Sequence, residues 1–255
     1  MSKIGFIITT MLRDELLRKS VESLLKYKQD NREIIVIDQG EITIEKRDWL
    51  KEKNVHYYPI SFDSGLSFSR NYGVQIAKQK NCDYVVIGSD SFLFNESIQK
   101  INTIVDLLNS SNYSFCGFSL DNCICGWEGK INLIEGQAFE LDFVDKKKPH
   151  YILNKIPFWK IEICRNFFIA KIDILLNVQW DENLKLREHE DEFMRIKQAG
   201  YRGLWTDYII AEKMTDRPNK YKQLRNKNMQ EGLIYLQKKW NIKNWIKYKK
   251  FNNAK

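Results

Sequence analysis

Three runs of uninterrupted apolar residues, each ending in polar or acidic residues, constrain this chain more than any other feature: KIGFIITT at 3–10, REIIVIDQG at 32–40 and DYVVIGSD at 83–90. Apolar runs without polar alternation mark strands covered on both faces, as in a parallel sheet. Between the first two, LRDELLRKSVESLLKY sets Leu16, Leu17, Val21, Leu24 and Leu25 at helical spacing. A third short strand, VHYY, follows the helix-like ITIEKRDWLKEK, and the serines of SGLSFSRNYGVQIAKQK can cap a helix starting near Ser67. Four strands alternating with helices predict a mostly parallel sheet joined by right-handed crossovers. Ligands in such sheets bind beyond the carboxyl ends of the strands, which would bring Thr9, Thr10, Asp38 and Asp90 to one crevice.

From Asn112 to Phe143 the pattern changes to short strand-like runs without helices between them, YSFCGFSL, CICGW, KINLIEG and AFELDFV, which predicts an antiparallel patch on the sheet. DKKKPHYILNKIPFWK reads as a mobile basic loop carrying exposed aromatics near a site. CRNFFIAKIDILLN is a strand entering a helix, and REHEDEFMRIKQAGYRGLWTDYII a helix stopped at Gly200 and a last strand. A break after about Pro218 divides a main domain, 1–218, from a basic, aromatic, helical extension, 219–255.

The bulk numbers limit the classes. With 255 residues and 43% hydrophobic content the chain suits one main core. Five cysteines, Cys82, Cys116, Cys123, Cys125 and Cys164, form no C-x-x-C pair, so neither a zinc site nor a disulfide framework is supported. No membrane-spanning run is present, and MSKIGFIITT lacks a signal peptide's apolar region and cleavage site, which leads to a cytosolic expectation. A net charge of +8 fits an anionic partner. In QKKWNIKNWIKYKKFNNAK lysines interleave with Trp240, Trp245, Tyr248 and Phe251, so the tail is either a peripheral contact with an anionic membrane at the inner face or a terminal helix packed on the core.

Three segments, in this order, resemble GT-A-fold nucleotide-sugar glycosyltransferases of the family two type, and within them the β-1,4-N-acetylgalactosaminyltransferase branch. They are IITT…RDELLRKSVESL with IIVIDQG, GLSFSRNYGVQIAKQKNCDYVVIGSDSFLF, and NFFIAKIDILLNVQWDENLKLREHEDEFMRIKQAGYRGLW, and the resemblance spans roughly residues 4 to 212. It implies a GT-A, Rossmann-like α/β fold with a mixed, mostly parallel sheet flanked by helices, an antiparallel patch and a C-terminal helical basic tail. It also implies that Thr9 and Asp38 hold a uridine, that Arg70 reaches the ring or the diphosphate, and that Asn71 braces that loop. A nucleobase edge needs a placed acceptor and a diphosphate a cation. Read without the resemblance, Asp38 is the end of a turn and Arg70 a surface helix residue.

In the family an Asp-x-Asp triplet binds Mn²⁺ or Mg²⁺; here the matching residues are Gly88, Ser89 and Asp90, so the first acid is missing. The resemblance leaves Asp90 as the ligand from this loop, with Ser89 or Ser91 reaching the ion through water, and puts Glu212 where the branch has a metal-binding histidine. A metal-independent variant in which Arg and Lys face the diphosphate stays open beside it. The match of REHEDEF to the branch's His-x-acid-x-Phe element makes Asp191 the first candidate for the base and Glu190 the second, while the helical wheel offers Asp191 as a partner of Arg195 at i+4. Trp159 and Trp180 are candidates for stacking on a sugar.

The function this implies is transfer of a hexose or N-acetylhexosamine from a UDP-sugar to a sugar hydroxyl of a glycan or glycolipid, with inversion, in surface polysaccharide or lipooligosaccharide synthesis. The rivals are a sugar nucleotidyltransferase, which would carry a Gly-rich loop that TTMLRDE lacks, an inactive sugar- or nucleotide-binding relative, and a basic nucleic-acid-binding protein suggested by charge alone.

Overall fold

The computed structural model describes residues 1–121, 127–134 and 138–248, without the side chains of 138 and 245–248. The first half alternates as its apolar runs predict: β1 (Ile4–Thr10), α1 (Asp14–Leu25), β2 (Arg32–Asp38), α2 (Ile44–Glu52), β3 (His56–Pro59), α3 (Leu66–Gln79) and β4 (Tyr84–Ser89). Then follow β5 (Phe92–Phe94), α4 (Ile101–Asn109), β6 (Phe115–Asp121), β7 (Gly129–Ile134), β8 (Ala138–Phe143), β9 (Tyr151–Leu153) and β10 (Ile156–Ile161). The chain closes with β11 (Phe168–Lys171), α5 (Ile172–Asn177), α6 (Glu188–Gln198), β12 (Gly203–Lys213), α7 (Asn219–Lys239) and β13 (Asn244–Tyr248).

The main sheet runs β3-β2-β1-β4-β11-β6-β12-β10-β9, with β5 on β12. Its first four strands are mutually parallel, and β11 enters antiparallel between β4 and β6. The period-2 alternation of strand side chains divides the apolar runs between two cores. Phe6, Ile8, Ile34, Val36 and Val86 face one, with Leu17, Val21 and Leu24 of α1. Ile7, Ile35, Ile37, Val85 and Ile87 face the other, with Val74 and Ala77 of α3 and Phe193 of α6. Each such side chain contributes about 1.5–3 kcal/mol on burial, which is why the runs stay apolar between their polar ends.

Three expectations are corrected. The segment read as a mobile basic loop is the β9–β10 hairpin at the sheet edge, closed by Asn154 and Lys155 with φ of 50° and 65°. The helix predicted to be capped by serines starts from Gly65 (φ 94°), where a Cβ would lie 2.7 Å from the Cα of Lys185; Ser67 and Ser69 bond backbone carbonyls instead. The extension is helical only to Lys239, after which β13 pairs with β8 in a second, three-stranded sheet with β7. The side chains of Trp245 and Tyr248 and the whole of Phe251 lie outside the described residues, as do Cys123 and Cys125.

Candidate active site

The carboxyl ends of β1, β2 and β4 are in register, Thr10 beside Asp38 and Thr9 beside Ser89. Above them opens a crevice of about 290 Å³, lined by Thr9, Arg13, Arg70, Ser89, Glu188 and Glu190 among others. It narrows inward to a pocket of about 30 Å³ between Thr9, Gln39, Asp63, Gly65 and α7. Helix α7 roofs both parts with Tyr221 and Arg225, and Asn228 bonds Asp63 at 2.9 Å. A larger cavity of about 870 Å³ lies at the start of β12, away from the strand ends that position ligands in such sheets.

The crevice is basic. Arg13, Arg165, Arg187, Lys213, Arg217 and Arg225 line it together with Arg70. The Nε atoms of Arg70 and Arg187 are buried without a hydrogen-bond partner. Arg70 pairs with Glu188 at 2.5 Å, and its guanidinium lies 5.6 Å from the Trp180 ring. Burial alone would raise the Glu188 carboxyl, but the Arg70 charge and hydrogen bond outweigh it and hold it below the usual range.

The acids opening α6 diverge over one turn. Glu190 lines the crevice with Arg187 at 3.5 Å. The carboxylate of Asp191 is fully buried elsewhere, taking Arg195 at 2.8 Å, Lys239 at 2.8 Å and the Trp240 indole N–H at 2.8 Å. Burial pushes His189 down to about 3, so it is a neutral ring bonded to Asn166 at 2.9 Å and set edge-on to Trp127. Glu192 is pushed up to about 8 by burial, with Arg195 opposing and Asp191 adding to the rise.

A family model described as glycosyl transferase family 2 matches residues 6–164. The chain belongs to glycosyl transferase family 2. Solved structures with the same GT-A fold include GalNAc-T7 with UDP, GalNAc and Mn²⁺, 13% identical at a TM-score of 0.66, covering 84% of this chain and 44% of that one. S. aureus TarS 1-349 in complex with UDP is 12% identical at a TM-score of 0.54, covering 92% and 65%. A mannosyltransferase from Pyrobaculum calidifontis with GDP-Man and Mn²⁺ is 10% identical at a TM-score of 0.58, covering 92% and 64%. The chain thus spans less than two thirds of the length of each of these neighbours. No curated protein matched it.

The family 2 resemblance assigned a divalent cation to Asp90 and Glu212, and the residues do not fit one. Both oxygens of Asp90 are filled: Oδ2 accepts from Thr10 Oγ1 at 2.8 Å and Arg13 Nε at 3.0 Å, Oδ1 from Ser89 Oγ at 3.0 Å and the Arg13 terminal nitrogen. Glu212 is exposed, and the strand's alternation turns Lys213 rather than Glu212 to the crevice. Among the described residues no three His, Cys, Asp or Glu side chains come together in a way that could hold a metal.

Of the other sequence candidates, Thr9, Arg70 and Ser89 line the crevice. Asn71 braces the Trp180 backbone rather than the loop of Arg70, donating to the Trp180 carbonyl at 2.9 Å and accepting from its N–H at 2.9 Å. Trp180 is buried beneath this brace rather than presented to a ligand. Trp159 is buried too, its indole N–H given to the Asp145 carbonyl at 2.8 Å and its ring 5.0 Å from Trp205. Asp38 has no exposure and does not line the crevice; its carboxylate takes the Gly40 N–H at 2.8 Å, the Tyr57 hydroxyl at 2.8 Å and Lys46 at 2.7 Å. Sequence reasoning missed Arg13, Asn166, Lys213, Tyr221 and Arg225. Arg13 carried one signal, a cation three residues past the first strand end.

Proposed function

We propose that this family 2 chain is an inverting glycosyltransferase that moves a hexose or N-acetylhexosamine from a UDP-sugar to a hydroxyl of a glycan or glycolipid. The observation that carries the reading is a basic crevice at the carboxyl ends of β1, β2 and β4 with the Glu190 carboxylate on its wall. UDP is preferred as donor nucleotide because it is bound in two of the neighbouring structures; GDP-Man in a third makes GDP the comparison to run.

In the proposed step the acceptor oxygen attacks the anomeric carbon and forms the new C–O bond while the bond from that carbon to the diphosphate oxygen breaks. The acceptor proton passes to Glu190, and the electron pair leaves with UDP, whose added charge the crevice arginines balance. Glu190 replaces Asp191 in this role because the Asp191 carboxylate is closed off by Arg195, Lys239 and Trp240. Asp38 supports the uridine side indirectly, by fixing the Gly40 turn and Lys46. The lysine-rich segment from α7 onward supports a peripheral membrane setting for a lipid-linked acceptor.

Glu190→Gln is expected to keep the UDP-induced rise in melting temperature and to lose about 10²–10⁴-fold in kcat, the usual contribution of a general base. Asp191→Asn is expected to keep transfer. Transfer by Glu190→Gln at the wild-type rate would overturn the base assignment, and a melting temperature that responds to GDP alone would overturn the donor.

A further inference from the structure

Asp90 occupies the position from which its relatives' loop would reach a cation, yet it faces a guanidinium. The Arg13 fork grips both carboxylate oxygens, and Thr10 and Ser89 take the remaining directions, so about four acceptor sites meet four donors. Oxygen-loving dications need several ligands around them, and this carboxylate has none to offer while Arg13 stays in place. At the end of β12, where the resemblance sets Glu212, it is the neighbouring Lys213 that lines the crevice.

Arg13 is not spent by this contact. A guanidinium has five N–H groups, of which two are given to Asp90. Its side chain lines both the crevice and the narrow inner pocket and lies 4.4 Å from the Tyr221 ring of α7, which fixes its plane. Carboxylate on one edge, aromatic ring on one face and crevice beyond leave a cation whose free N–H groups match the oxygens of a diphosphate. Held rigidly in a narrow site, such a charge stabilises a departing diphosphate without reorganising.

We propose that the Arg13–Asp90 pair takes the place of a divalent cation, with Arg13 and Lys213 binding the donor's diphosphate, so that nucleotide binding and transfer need no metal. This rests on the reading of the crevice as a nucleotide-sugar site.

The test is calorimetric titration of the full chain with UDP in EDTA and again with Mn²⁺, beside transfer assays under both conditions. The expected result is an affinity and a rate that agree within about twofold, since no ligand set for the ion exists. Arg13→Lys keeps a charge but loses the fork, and is expected to weaken UDP binding in EDTA about tenfold. Because Arg13→Ala strands a buried carboxylate, the Arg13→Ala/Asp90→Asn double variant serves as the folded control; it is expected to bind UDP as weakly as Arg13→Lys or more so, with no recovery on adding Mn²⁺. UDP binding that appears only with Mn²⁺ and vanishes in EDTA overturns this inference and leaves the transferase reading intact. Absence of any nucleotide binding under either condition overturns both.

Discussion

Four consecutive ionisable groups, His189 to Glu192, show how little residue type decides at this site. His189 is kept neutral, Glu190 meets the crevice, Asp191 is locked between cations, and Glu192 shares Arg195 with Asp191 at 2.6 Å while its other oxygen has no partner. For Glu192 the folded carboxyl titrates near 8 and the ordinary value is 4.5. The folded state therefore holds a proton that the unfolded state releases between those values. The stability this contributes is complete below about 4.5 and is lost as pH rises through about 8. Glu192→Gln should flatten denaturant-unfolding free energies measured from pH 5 to 8, with its advantage over the wild type largest at pH 8; a variant that tracks the wild type across that range would show that Glu192 is ionised in the folded state. The reason Glu190 and not Asp191 reaches the crevice was not legible locally, because Lys239 and Trp240, which claim Asp191, come from the far end of α7.

At the scale of elements, the close fit of α7 is testable through Gly232. A Cβ there would stand 2.5 Å from the Leu186 carbonyl oxygen, which is backbone and cannot swing away. Ala is the better helix former by about 1 kcal/mol, so Gly232→Ala sets propensity against contact. The contact should win: the variant is expected to melt several degrees lower and to speed amide exchange across 219–239, whereas a rise in melting temperature would mean that α7 does not dock this way. Docking of this helix was not readable from sequence, since its apolar positions are few and its partners, Asp63, Asp181 and Asp191, are scattered through the chain. By contrast β1, β2 and β4 were plain in the sequence because burial on both faces leaves their central residues, Ile4–Ile8, Ile34–Ile37 and Tyr84–Gly88, without a charged position. The β9–β10 hairpin was missed for a local reason: two residues with positive φ make the kind of turn that twists strands together, and only Asn154 hinted at it. The insertion of β11 between β4 and β6 depends on pairing across the chain, which no short-range pattern encodes.

For the whole molecule, the parallel half supplies the strand ends, the later half supplies Glu188, Glu190 and Lys213, and α7 returns to lie across the junction. The net charge of +8 is therefore not merely a surface property, since part of it is turned inward to the crevice. Among the described residues no helix is long and apolar enough to cross a membrane. The narrow inner pocket under Tyr221, Arg225 and Asn228 holds space for about one water molecule. For the proposed donor to seat its uracil there, α7 would first have to swing outward, and that step would set a ceiling on entry. Rapid-mixing traces with rising UDP should climb to a plateau rather than a straight line, the plateau marking how often the roof lifts unaided.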